Sequence, residues 1–368
     1  MEKTKLINNP IMKKIKAEIV ADSINPQGDR ITTYLLTFPR FILAELNTHR
    51  VFSKNSASSR AIPFEKMVKM VEEDPFVPIA WQKDHKGMQG TEYMIGEDAD
   101  QSKILWDVSK NEAINAAIDL HNHGTTKQLC NRLLEPFMWH TVLLTGTEFE
   151  NFFELRCPKY HTPVSGDGFY FRSKKDCIAN HSNPTNLKKL EDMSNIEWLQ
   201  INSSQAEIHI QALAEAMWDA MNESTPKELK SGEWHIPFGD KMSDGELRDY
   251  FYNVENNPDP SFTAYQETKL KVSTARCARL SYMTFDGKVD YGKDIKLHDI
   301  LLESHHMSPF EHCARAMSNE EYNSFIKGGI NTVLNNGRLE YEVEDFQKGW
   351  CNNFKGFIQY RYLIEGSN

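Results

Sequence analysis

The spacing of apolar and polar positions changes several times along the chain, and each change predicts an element. Residues 30–38, RITTYLLTF, are rich in β-branched and aromatic side chains and stop at Pro39, the pattern of a strand. FILAELNTHR (41–50) has helical character, and VFSKNSASSRAIP (51–63) predicts a close-fitting loop of small polar residues. Pro63 then opens an amphipathic helix, FEKMVKMVEE. An irregular excursion is expected near 75–105, followed by a helix over 111–123 ending in a polar HNH run. TTKQLCNRLLEP starts with a capping threonine and ends at Pro136, and the apolar stretch up to Arg156 predicts a long, mostly buried helix.

Further along, 158–199 is polar and predicts loops, while SQAEIHIQALAEAMWDAM (204–221) predicts an amphipathic helix. CARLSYMTF (277–285) carries a short strand signal, and KLHDILLES (296–304) a helical one. In HHMSPFEHC (305–313), Ser308, Pro309 and Glu311 spell a helix start with Ser308 as N-cap. The expected fold class is α+β, an antiparallel twisted sheet flanked by helices. One elaborated domain is expected over 1–368, with insertions near 75–105, 158–200, 223–262 and 313–350.

Charge narrows the function. The chain has 42 Lys+Arg against 52 Asp+Glu, a net charge of −10, which disfavours general nucleic-acid binding unless basic residues share one pocket. The absence of a long apolar run and of a signal-peptide core predicts a cytoplasmic protein without a membrane span. Six scattered cysteines without a CxxC pair predict reduced thiols.

Chemistry concentrates in a few places. His49, Arg50, Ser53, Asn55, Ser58 and Arg60 set two guanidiniums among hydroxyl, amide and imidazole groups. That mixture suits a phosphorylated ring-containing ligand, because arginine grips phosphate with a planar fork. A solvated polar loop is the plain alternative. Arg132 and Arg156 lie in apolar surroundings, so each is either paired with a neighbour such as Glu135 or Glu154 or faces an anionic ligand. His305, His306 and His312 suggest a metal site but lack HExxH spacing, and a helix start at Ser308 would instead favour a phosphate.

Together these pieces resemble the flavin-dependent thymidylate synthase family. Its pattern HRxxSxNxxSxR stands as His49, Arg50, Ser53, Asn55, Ser58 and Arg60. Its arginine four residues before a proline is similar to Arg132 and Pro136, and its asparagine, four residues, arginine to Asn151 and Arg156. ARxSY stands at Ala278–Tyr282 and HxSPFEH at His306–His312. In the family these last two precede the signature, so the resemblance implies a circular permutation, with a permuted strand order. Three positions depart: Thr48 replaces the first arginine of RHR, Glu45 a glutamine and Ser56 an acid.

The resemblance implies methylation of dUMP to dTMP with FAD, NADPH and 5,10-methylenetetrahydrofolate, in a homotetramer with sites between subunits. By motif position, Arg60 and Arg132 would bind the nucleotide phosphate, Ser58 would face the uracil and Arg156 its carbonyl edge. His49, Arg50, Asn55, Asn151, Ser281, His306, Ser308 and Glu311 would contact FAD. Gln359 and Arg361 in NNFKGFIQYRYL are expected to stand in for the amide and guanidinium that Glu45 and Thr48 replace. The alternatives are hydroxymethylation of a pyrimidine nucleotide, a non-catalytic nucleotide- or flavin-binding homologue and, more distantly, a metal-dependent hydrolase.

Overall fold

In the computed structural model, the residues described are 15–86, 90, 92–161, 169–180, 184–239, 242–253, 261–281, 290–327, 330–335, 338–343 and 347–366. The architecture is mixed α+β with mainly antiparallel sheets. The principal sheet has the order β3 (Ser53–Ser56), β4 (Trp139–Gly146), β2 (Arg30–Pro39), β1 (Lys16–Ile24) and β5 (Lys227–Glu228). All neighbours run antiparallel except β1 and β5. A smaller sheet joins β6 (Trp234–His235), β7 (Ala314–Ala316) and a C-terminal strand, Phe357–Gln359.

β2 forms where its β-branched run predicts and extends through Pro39. The expected buried helix up to Arg156 is instead β4 followed by a short helix, α5 in chain order, at Glu150–Arg156. β4 lies between β2 and β3 and is almost wholly buried, so its sequence, WHTVLLTG, lacks apolar–polar alternation and periodicity cannot separate it from a buried helix. Gly146 ends it beneath Phe52, whose ring would stand 2.7 Å from an added Cβ. The loop expected over 51–63 contains β3.

The helices before α5 are α1 (Leu43–Asn47), α2 (Phe64–Glu73), α3 (Glu97–Asn122) and α4 (Lys127–Cys130). α2 matches its predicted span, and α3 begins inside the expected excursion. α4 is capped by Thr126 and passes into a 3-10 turn, Asn131–Phe137, because Pro136 cannot continue an α-helix. The polar stretch expected as loops holds α6 (Lys174–Ala179), α7 (Pro184–Glu191) and α8 (Asn195–Gln200). Their docking residues come from a distant helix, α9 (Ile208–Glu223), where Glu215 accepts hydrogen bonds from the Lys174 amide and the Tyr160 hydroxyl.

α10 (Asp244–Asn253), α11 (Phe262–Ser281) and α12 (Tyr291–Glu303) follow. The strand expected at 277–285 is helical through Ser281, because Val272, Ala275, Cys277 and Ala278 are buried and tertiary packing decides. Residues 282–289 lie outside the described residues. The expected helix at Ser308 is a single 3-10 turn, Ser308–Glu311, capped at Met307 without a side-chain bond. With no succeeding helix, the turn lacks the dipole that would favour a phosphate there.

The main core packs β2 and β4 against α9 through Tyr34, Leu36, Phe38, Val142, Leu144, Ile210, Leu213 and Met217. No helix among the described residues is long and apolar enough to cross a membrane. All six cysteines are buried free thiols.

Candidate nucleotide site

β3 carries the middle of the signature, and different groups gather at its two ends. At the Ser56 end, Asn131 is fully buried and donates its amide to the carbonyl oxygens of Ser59 at 2.7 Å and Ile62 at 3.0 Å. This ties the backbone before Arg60 to the turn that carries Arg132. Ser59 donates to Glu135, adding a second tie. Arg60 and Arg132 are exposed, and neither has an acidic partner among the described residues.

Arg40 completes this end. Its guanidinium donates to His140 Nε2 at 2.8 Å and lies 3.5 Å from a Glu135 oxygen. Burial lowers its pKa, Glu135 opposes that shift, and the charge of nearby Arg132 adds to it. His140 is buried, and burial followed by the Arg40 charge lowers it to about 3, so the imidazole is neutral at physiological pH. Its Nε2 also lies 2.6 Å from Ser56 Oγ. Sequence reasoning missed Arg40, Asn131 and His140, and the only signal for Arg40 was its place directly after the strand-ending Pro39.

At the Ser53 end, Arg156 closes α5 and donates from Nε to His49 Nε2 at 3.0 Å and from a terminal nitrogen to Thr48 Oγ1 at 3.3 Å. Both partners are neutral, and of the two alternatives for Arg156 the pairing with Glu154 is not made, because Glu154 binds Lys159, Tyr170 and Arg172. His49 is 7% exposed and packs edge-on against Phe152 at 4.9 Å. Burial, then the charges of Arg156 and Lys54, lower it to about 4, leaving Nε2 free to accept. Lys54, lowered to about 8 by burial, caps the carbonyl oxygens of Leu46 and His49.

The signature also meets the later motifs. Asn55 donates to the Cys277 carbonyl oxygen at 2.7 Å, and Ser308 donates to Asn55 Oδ1 at 3.5 Å. Gln359 is 2% exposed and donates to Ser53 Oγ at 3.2 Å. Arg361 pairs with Glu311 at 2.7 Å and with Glu365. Arg50, Asn151, His306 and Ser308 are exposed, Ser58 is half-buried and Ser281 ends α11. The three histidines that resemble a metal site in sequence are divided: His305 and His306 are exposed, while His312 is buried against Thr145. Among the described residues, no three His, Cys, Asp or Glu side chains gather as metal ligands.

Thus Arg60, Arg132 and Arg40 share one end of β3, and Arg156 with His49 the other. At 3.3 Å per residue the four-residue strand separates them by roughly 10 Å. A separate cleft of about 580 Å³ beside β1 is lined by Asp22, Lys227, Trp234, Phe262 and Lys269 among others, and includes none of the candidate residues.

No family model matches the chain, and no curated protein matches it. Among solved structures, a UMP/dUMP methylase PolB from Streptomyces cacaoi bound with 5-Br UMP has a TM-score of 0.35 and 17% identity, covering 57% of this chain and 89% of that one. The same methylase bound with 5-Br dUMP gives a TM-score of 0.27 and 17% identity, covering 38% of this chain and 58% of that one. Both likenesses are slight.

Proposed function

We propose that this chain is an enzyme that binds a pyrimidine nucleoside monophosphate along β3 and adds a one-carbon group to its ring, converting dUMP to dTMP. The observation that carries this reading is the Asn131 tie, which joins the stretches bearing Arg60 and Arg132, neither with an acidic partner among the described residues, beside Arg40. Unpaired guanidiniums on ordered backbone suit a phosphate dianion. The second charged end, Arg156 on neutral Thr48 and His49, stands where the base of a nucleotide lying along β3 would reach.

In this reading Arg60 and Arg132 hold the phosphate and Ser58 faces the uracil. Arg156 binds the carbonyl edge and stabilises negative charge as the ring is activated. Neutral His49 holds Arg156 without cancelling its charge.

The residues also fit a flavin. Arg50 is exposed without an acidic partner among the described residues, as a diphosphate binder needs. Ser308 and Asn55 meet, aligning two motifs that would hold the same cofactor. His49, Asn151, Ser281, His306 and Glu311 complete the proposed FAD set. When bound, FAD supplies the hydride, NADPH restores it and 5,10-methylenetetrahydrofolate supplies the carbon. We assign the chain a permuted form of the flavin-dependent thymidylate synthase fold, and a homotetramer with sites between subunits.

Ser56 gives a second reading some support. A neutral Ser56–His140 pair stands where the resembling family has an acid, which changes the charge beside the ligand and leaves hydroxymethyl transfer as the alternative chemistry. Incubation with dUMP, 5,10-methylenetetrahydrofolate, FAD and NADPH, followed by product mass, separates the readings. A net gain of CH2, a methyl in place of a ring hydrogen, supports the first, and of CH2O, a hydroxymethyl in its place, the second. Unchanged dUMP contradicts both.

A further inference from the structure

The last described segment of the chain touches both the Ser53 end of β3 and the Ser308–Glu311 turn. Gln359 uses both amide hydrogens, donating to Ser53 Oγ at 3.2 Å and Asn353 Oδ1 at 2.8 Å, while its Oε1 accepts from Asn352 at 3.1 Å. Asn353 donates in turn to Ser53 Oγ and to the Val51 carbonyl oxygen, both at 3.1 Å. These bonds fix the orientation of each amide, because a flip would set donor against donor. The buried Ser53 hydroxyl thus takes two bonds from a stretch 300 residues away in sequence.

The same stretch grips the opposite motif. Ile358 and Gln359 pair with Arg315 and Ala314 of β7, just beyond the Ser308–Glu311 turn, and Arg361 donates to Glu311 at 2.7 Å. Its other anchors are independent of both motifs. The Lys355 amide donates to Thr147 Oγ1 at 3.0 Å, and Asn25 donates to the carbonyl oxygen of Gly356 at 3.0 Å. Gly356 has a φ of 75°, which a side chain would strain.

We infer that the segment Asn352–Arg361 is a brace that registers β3 against the Ser308–Glu311 turn, with Gln359 and Asn353 as positioning residues acting through Ser53. Neither amide needs to touch a ligand. By holding the Ser53 end of β3, they fix where the ring-facing end stands relative to the Ser308–Glu311 turn. The consequence for nucleotide binding rests on the proposed function, whereas the brace itself does not.

The test uses the full chain with Gln359→Leu and, where that variant fails to fold, Asn353→Ala at a half-buried position. Hydrogen exchange by mass spectrometry should show the amides of Ser53–Ser56 exchanging at least tenfold faster, with β1 and β2 unchanged. Unchanged exchange in β3 would overturn the brace. Calorimetry should then show dUMP bound at least tenfold more weakly than by the wild type, with inorganic phosphate affinity kept within twofold. Equal dUMP affinity in wild type and variants would overturn the positioning role. A wild type that does not bind dUMP would instead overturn the nucleotide reading, and the exchange result alone would decide the brace.

Discussion

Asn131 donates to the carbonyl oxygen of Ser59 at 2.7 Å, and this bond puts two cationic residues on neighbouring stretches of backbone. Replacing Asn131 with alanine should strand the buried Ser59 and Ile62 carbonyl groups and cost about 1–3 kcal/mol. Denaturant unfolding measures that loss, and dUMP affinity should fall with it. An unchanged unfolding midpoint would show that the tie contributes nothing.

A buried chain of hydrogen bonds crosses the sheet beneath the site. Ser23 meets His235 at 3.0 Å, His235 meets Thr33, Thr33 meets Thr145, and Thr145 meets His312 Nδ1, each of the last three at 2.8 Å. Burial lowers both histidines to about 3, so both are neutral. Thr145→Val keeps the shape but removes the bridging hydroxyl. Among the described residues His312 Nε2 has no partner, so without the Thr145 hydroxyl neither ring nitrogen would be bonded to any of them. Stability should fall by about 1–3 kcal/mol in denaturant unfolding, with phosphate affinity unchanged.

His49 gives the site a pH signature. Its folded-state value of about 4 lies below the ordinary 6.5, so on acidification the unfolded chain takes up the proton first. Its contribution to stability is therefore complete above 6.5 and is lost as pH falls toward 4, by at most about 1.4 kcal/mol per pH unit. His49→Gln keeps an acceptor for Arg156 and cannot titrate. The stability of wild type relative to this variant should decline as pH is lowered from 6.5 to 4. A difference that stays constant across that window in parallel denaturant titrations would contradict the assignment.

Arg156→Ala removes the charge aimed at the proposed ring. Turnover should fall about 10²–10³-fold, in line with loss of one donor to developing negative charge. The absorption band of the proposed flavin should be the same in the variant as in the wild type. Full activity would remove Arg156 from the chemistry.

The sequence made some parts of this arrangement legible and hid others for physical reasons. β2, α2 and α9 were visible because their β-branched or amphipathic patterns agree with their surroundings. β4 was hidden because burial on both faces erases alternation. The candidate residues before and after β3 were found from motif spacing, but their supports were not. Asn131, His140 and Thr145 are ordinary polar residues in apolar runs, and only long-range pairing shows what each one holds. Gln359 and Arg361 stood out in the sequence, yet their links to Ser53 and Glu311 depend on the smaller sheet, whose strands are too short to leave a pattern.

Titrating the purified chain at low salt with dUMP and, separately, with deoxyuridine asks whether Arg60 and Arg132 grip a nucleotide phosphate. Calorimetry should show measurable binding of dUMP, at least tenfold weaker binding of deoxyuridine, and loss of that preference in Arg132→Gln without a change in melting temperature. Equal affinity for the two ligands, or an Arg132→Gln variant that keeps the preference, would contradict it.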